Sequence, residues 1–180
     1  MIRTVRNILV KSATIVAAQP KAMLLIVGEA PAQALHAKAQ TRESIQAAAD
    51  AAGVGEHLKF IGVITDYGDL GTIYRAADAH VFPVRHVPDD PEGFGMVAIE
   101  AAAHGLPTVA FATGGIVDAV ADARSGKLVA SGDYSGFAVA VSQALARRNA
   151  LRSSSTDFAR QFAWPVFGEN LKAALHGKMG

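Results

Sequence analysis

The chain has 180 residues, of which 51% are hydrophobic and 18% charged, with 17 Lys and Arg against 16 Asp and Glu. That composition suits one globular domain with a core of its own and excludes a disordered chain, and the near-neutral balance leaves no footprint for nucleic acid or an anionic membrane. Cysteine is absent, and His36, His57, His80, His86, His104 and His176 have no metal-ligand spacing, so neither a disulfide framework nor a metal site is expected.

Strand-like and helix-like runs alternate along the chain. Residues 22–27 (AMLLIV) form an apolar run ended by Gly28, and the alanine-rich stretch 35–52, stopped by Gly53, reads as a helix. A strand at 57–61 ends at Gly62, a short helix covers 69–77, and a strand at 79–82 ends at Pro83. After an acidic, Pro-containing loop at 84–92 come a helix at 96–104, a strand at 108–111, a helix at 116–121 and a strand at 127–130. A long helix follows at 134–148. The run Ser153-Ser-Ser-Thr156 reads as a break, either turn or hinge, before terminal helices at 157–162 and 166–176. Strands of four to six apolar residues separated by helices predict βαβ units. The expected fold is α/β, a Rossmann-like parallel sheet with helices on both faces. No apolar run approaches the roughly 20 residues of a membrane span, and the basic start lacks the pattern of a signal peptide. A cytoplasmic protein is expected.

The chemistry concentrates in Pro91-Glu-Gly-Phe-Gly-Met-Val-Ala-Ile-Glu-Ala-Ala-Ala-His-Gly-Leu-Pro107. A glycine-containing loop runs into an apolar helix there. The unpaired N–H groups and positive dipole end of a helix N-terminus can hold phosphate, and Gly93 and Gly95 would let that backbone approach a ligand. The helix is otherwise apolar; its polar residues, Glu100 and His104, share one stripe. Glu100 is either a solvent-facing carboxylate or a cleft carboxylate accepting from vicinal hydroxyls. Glu92 precedes the helix in the loop. A second loop, Thr113-Gly-Gly115, is either another anion cradle or a plain turn with Thr113 as helix cap.

Glu92 and Glu100 are separated by seven residues. The segment resembles the EX7E motif of the retaining GT-B glycosyltransferases of family 4, and its neighbours agree. Leu24-Leu-Ile-Val-Gly-Glu-Ala-Pro31, Leu58-Lys-Phe-Ile-Gly62, Ile73-Tyr-Arg-Ala-Ala-Asp-Ala-His-Val-Phe-Pro83, Thr113-Gly-Gly-Ile-Val-Asp118, Ser125-Gly-Lys-Leu-Val129 and Phe162-Ala-Trp164 each resemble a family segment, in order, over residues 20–175. The resemblance implies that residues 1–180 are a single nucleotide-sugar-binding domain, the C-terminal half of a GT-B fold. It implies that Glu100 accepts from the donor ribose and that Glu92, the catalytic residue, faces the transferred sugar. The N–H groups of Phe94, Gly95, Met96 and Val97 would hold the diphosphate or sugar, with Gly114 and Gly115 beside them. Gly62, Val63 and Ile64 would edge the base pocket. The donor would be a UDP-sugar or GDP-sugar, with no metal and no cofactor.

There are departures from the family. Asp118 stands where it usually has Glu. The opening strand and the Arg and Lys that hold the diphosphate have no counterpart here, nor does the N-terminal domain that binds an acceptor sugar or lipid. Residues 5–18 align with the helix after that strand, although Arg6-Asn-Ile-Leu-Val10 could replace the strand itself. Three expectations follow from the absent parts. The chain alone binds a nucleotide weakly and transfers no sugar. Ile8, Leu9, Val10 and Ile15 pair with a second copy. Any membrane contact is peripheral, through the absent domain. The alternatives left open are a non-catalytic nucleotide-sugar-binding module and a related GT-B epimerase or phosphorylase.

Overall fold

Short apolar runs form the strands, and each strand leads into a helix, in the computed structural model, which describes residues 2–29, 41–84 and 93–176. The order is α1 (Ile2–Ala18), β1 (Leu24–Val27), α2 (Arg42–Ala51), β2 (Leu58–Gly62), α3 (Tyr67–Ala76), β3 (His80–Phe82), α4 (Met96–Ala103), β4 (Thr108–Phe111), α5 (Ile116–Ala119), β5 (Gly126–Val129), α6 (Tyr134–Ala159) and α7 (Trp164–His176). Side chains cap three of the helices: Thr41, Asp66 and Asp133 each accept from a backbone N–H one turn in, at Ser44, Asp69 and Gly136.

All five expected strands are present, and every pairing is parallel. Leu24 lies opposite Leu58, His80 opposite Thr108, and Thr108 opposite Gly126. The hydrogen-bonded strands form two sheets rather than one, β1–β2 and β3–β4–β5; among the described residues no strand joins β1 to β3. The larger sheet is covered on both faces. Val109, Phe111 and Val129 pack against Phe137, Ala140, Val141 and Ala144 of α6. On the other face Ala110 packs with Ala98, Ile99 and Ala102 of α4, Ile116 and Ala119 of α5, and Phe158 and Ala159. Helix α6 therefore begins on one face and ends on the other. The smaller sheet buries Leu58, and partly Leu24, Ile26 and Phe60, against Leu9 of α1 and Ile45 and Ala49 of α2. The alternate residues Leu25, Val27 and Ile61 are exposed, as a sheet covered on one side requires.

Three expectations are corrected. Residues 6–10 are helical, within α1, and do not replace a strand. Leu9 is 1% exposed and so offers no surface to a second copy, while Ile15 is partly buried against the cluster that holds Phe111 and Val141. The side chains of Ile8 and Val10 lie outside the described ones. The run 153–156 does not break the chain, for α6 continues through it to Ala159. Its hydroxyls turn back onto the helix: Ser154 Oγ donates to Leu151 O (3.1 Å) and Thr156 Oγ1 to Ser153 O (2.8 Å). Leu151, Ser155 and Phe158 keep one buried stripe. Of the expected helix at 35–52, residues 42–51 are helical and 35–40 lie outside the described residues. No helix among the described residues is long and apolar enough to cross a membrane.

Two glycines separate packing from backbone strain. A Cβ on Gly126 would collide with the backbone oxygen of Thr108 on the paired strand, whereas Gly132, at φ +85°, has open space around it. Gly126→Ala is expected to cost more than about 3 kcal/mol or to prevent folding. Gly132→Ala should cost only about 1–2 kcal/mol, from the left-handed backbone. Urea denaturation followed by circular dichroism checks the order; equal losses would contradict it.

Candidate functional site

Two glycine loops meet at the carboxyl edge of the three-stranded sheet. The first, Gly93-Phe94-Gly95, leads into α4. Gly95 is its N-cap, with φ 77° and ψ 50°, a conformation that favours glycine. A Cβ at Gly95 would lie 3.1 Å from Phe82 Cε1 and 3.5 Å from Ile116 Cγ1. The second loop, Thr113-Gly114-Gly115, leads into α5. A Cβ on Gly115 would lie 2.5 Å from the carbonyl oxygen of Gly93 and 3.1 Å from Phe94 Cα. The loops thus touch backbone to backbone. Gly115 serves that contact, while Gly114 stays exposed at φ +54°.

The first turn of α4 is left open by this packing. The N–H groups of Met96 and Val97 belong to the first turn, which has no intrahelical acceptors for them; that of Ala98 donates to Gly95 O at 2.9 Å. Met96 and Val97 are 58% and 38% exposed, so little side chain covers the positive end of the helix. Helix α5 has only four residues and adds a much smaller dipole. Thr113 does not cap it. Gly115 holds the N-cap position without a side-chain bond, and among the described residues the buried Thr113 hydroxyl has no partner.

Glu100 is exposed one turn into α4, and its carboxylate is held: Tyr74 Oη, on α3, donates to Glu100 Oε2 at 3.2 Å. Burial, and then the Glu100 charge and hydrogen bond, push the Tyr74 hydroxyl up to about 12, so it remains a donor at neutral pH. The Tyr74 ring stacks on His104 at 5.5 Å, and Arg75 Nη1 approaches His104 Nδ1 at 3.4 Å. Sequence reading paired Glu100 with His104 on one stripe but gave Tyr74 no role. The contact joins residues 26 positions apart on different helices, and no periodicity encodes it.

Gly62, Val63 and Ile64 lie at the end of β2. Gly62 has φ +84° and its carbonyl accepts from Gly28 N at 2.8 Å, tying the ends of β1 and β2 together. Val63 is 57% exposed and Ile64 half-buried. They lead into α3, the helix that carries Tyr74. Glu92 lies outside the described residues.

Beneath this cluster His80 bonds through Nδ1 to Thr108 Oγ1 (3.1 Å) and stacks on Phe82 (5.7 Å). Desolvation lowers its pKa to about 4. The unfolded chain, near 6.5, then takes up a proton more readily than the folded one. This contribution to stability is complete above the unfolded value and is lost as pH falls toward the folded value. Between pH ~6.5 and ~4 the loss should be on the order of 2–3 kcal/mol. Urea midpoints across that range should show the slope, and the double variant His80→Phe/Thr108→Val should flatten it.

Comparison with known proteins gives this arrangement a family. The profile of the glycosyl transferases group 1 matches residues 6–162. The D-inositol 3-phosphate glycosyltransferase of Segniliparus rotundus is 34% identical over 177 residues, 94% of this chain and 37% of that protein. The chain thus spans just over a third of that relative, and 26% of another from Geodermatophilus obscurus. Among solved structures, sucrose-phosphate synthase from Thermosynechococcus elongatus superposes with TM-score 0.71 at 27% identity, covering 97% of this chain and 43% of that one. HepE of Anabaena, solved with UDP, gives TM-score 0.71 at 23% identity over 94% of this chain and 44% of that one, a likeness of fold. The architecture is that of one half of a GT-B fold, as the resemblance implied. With most of its length inside the matched profile, the chain belongs to the glycosyl transferases group 1.

Proposed function

We propose that the chain, as a single domain, is the donor-binding half of a glycosyltransferase, taking a UDP-sugar or GDP-sugar and passing the sugar on with retention of configuration. The observation that carries this reading is the open first turn of α4, with Glu100 one turn further along and fixed by Tyr74. In this reading the N–H groups of Phe94, Gly95, Met96 and Val97 hold the diphosphate or sugar. Glu100 accepts from the two ribose hydroxyls, and Tyr74 keeps its carboxylate aimed between visits of the donor. Gly62, Val63 and Ile64 border the base, and Gly114 the sugar. That HepE was solved with UDP supports this class of donor.

The reaction breaks the bond from the sugar C1 to the diphosphate oxygen, whose electrons leave with the diphosphate, and forms a bond from C1 to the acceptor oxygen. The acceptor proton passes to the leaving phosphate. Glu92 stabilises the positive charge that develops at C1. The dipole of α4 stabilises the departing anion, and the reading uses neither metal nor cofactor. The acceptor, a sugar or lipid, would be positioned by a second domain, since holding the two reactants in line supplies roughly 7–11 kcal/mol of the barrier reduction.

Calorimetric titration with UDP and GDP is the direct test. One of them should bind saturably, with Glu100→Gln raising Kd about ten-fold, equivalent to about 1.4 kcal/mol, and Tyr74→Phe raising it several-fold. Absence of saturable heat with both nucleotides at millimolar concentration would overturn the reading. When the chain is joined to an acceptor-binding domain, Glu92→Gln should slow transfer about 100-fold or more while leaving donor Kd within about two-fold. Equal losses in both would reduce Glu92 to a binding group.

A further inference from the structure

A basic cavity lies at the opposite, amino edge of the larger sheet. Where α6 passes from one face to the other, its residues Arg148, Asn149 and Arg152 close over the segments that precede β3 and β4. The resulting cavity, about 250 Å³, is also bordered by Arg75, Asp78 and Gly105. Three guanidinium groups face one carboxylate there. Arg148 is paired with Asp78. Among the described residues the Arg75 guanidinium reaches only Thr72 Oγ1 (3.0 Å) and His104, and the Arg152 guanidinium has neither a carboxylate nor a hydrogen-bond partner, the Arg152 carbonyl alone accepting from Thr156 Oγ1.

The arginines are not needed as helix caps. The last carbonyls of α4 already accept backbone N–H groups: Ala101 O from Leu106 N and Ala102 O from Gly105 N, both at 2.9 Å. Ile73 O of α3 likewise accepts from Ala77 N at 3.0 Å. Those two helix ends contribute only partial negative charge, roughly half an elementary charge each, so a net positive field remains. Arg152 is also held in place. Gly105, at φ +74°, lets the Arg152 stem lie against it: a Cβ there would stand 2.7 Å from Arg152 Cγ. A guanidinium fixed by its stem keeps its planar fork for an outside anion.

We propose that this cavity binds a phosphomonoester, a dianion whose oxygens match the forks of Arg75, Arg148 and Arg152. The phosphate can belong to a free ester or to a lipid headgroup; the recognition chemistry is shared. The cavity lies at the other end of the strands from the first turn of α4, about one strand length away, ~10–13 Å, and uses side chains where that turn uses backbone.

The test is a 1H–15N titration of the chain with inorganic phosphate. Saturable shifts are expected at the amides of Gly105, Leu106 and Asn149, and Arg75→Gln/Arg152→Gln, at exposed positions, should weaken binding there about ten-fold. Asp78→Asn removes the competing carboxylate and should tighten it. Shifts confined to residues 94–97, or shifts at the cavity that the double variant leaves unchanged, would overturn the proposal. Cosedimentation with phosphatidylcholine vesicles containing phosphatidic acid then identifies the source. Capture lost in the double variant points to a lipid phosphate, and phosphate binding without capture to a free ester. Capture without phosphate shifts would mean diffuse charge attraction and would also overturn it. Failure of nucleotide binding at the donor cleft leaves these readouts unaffected.

Discussion

The contact of Gly115 with the backbone of Gly93 and Phe94 is the constraint on which the site depends. Any side chain at position 115 would meet the Gly93 carbonyl at 2.5 Å, closer than a carbon atom can stand without displacing the backbone. With hydrogen there, the two strand-to-helix loops lie against one another, and α4 starts directly above the end of β3. Gly95 completes the arrangement by turning the chain through the left-handed region against Phe82 and Ile116. The exposed first turn of α4 is therefore a result of packing between loops. Side chains further down α4, at Ala98, Ile99 and Ala102, then anchor it on the sheet.

Helix α3 leaves the smaller sheet, yet its Tyr74 reaches Glu100 on a helix of the larger one. The same ring stacks on His104 and meets His80 edge-on at 6.4 Å. Helix α1 makes a second bridge, packing against both α2 and α6. The two hydrogen-bonded sheets are thus coupled through side chains and helices. A carboxylate on an exposed stripe would otherwise sample many rotamers. Held by a phenol that stays protonated far above neutral pH, it keeps one orientation at little cost, because both groups remain partly solvated.

The strands were legible in the sequence because each depends on neighbours in the chain: apolar runs closed by Gly28, Gly62 or Pro83. The Gly93–Gly95 loop and the α4 helix were legible for the same reason. What escaped depends on distant partners. Serines 153–155 look like a break, but Ser155 is fully buried and Ser154 Oγ also reaches Arg124 O at 2.6 Å, so tertiary contacts hold the helix through them. Thr113 looks like a cap, but its hydroxyl is turned inward. Of the two readings open for residues 6–10, helix or replacement strand, their packing with α2 and α6 selects the helix.

The two edges of the larger sheet face different electrostatic problems, and the chain answers each with different groups. Because every strand is parallel and followed by a helix, helix N-termini collect at the carboxyl edge and C-termini at the amino edge. At the carboxyl edge the backbone itself can attract an anion, so small residues suffice: Gly95 and Gly114 keep the N–H groups within reach, and no basic side chain is required to make the field positive. At the amino edge the helix ends are negative, and an anion can be held only where side-chain charge exceeds that field. Arg75, Arg148 and Arg152 provide such an excess, and they gather where α6 crosses from one face to the other. Where an anion is to be held, the direction of the strands thus calls for backbone N–H groups at one edge and arginine at the other.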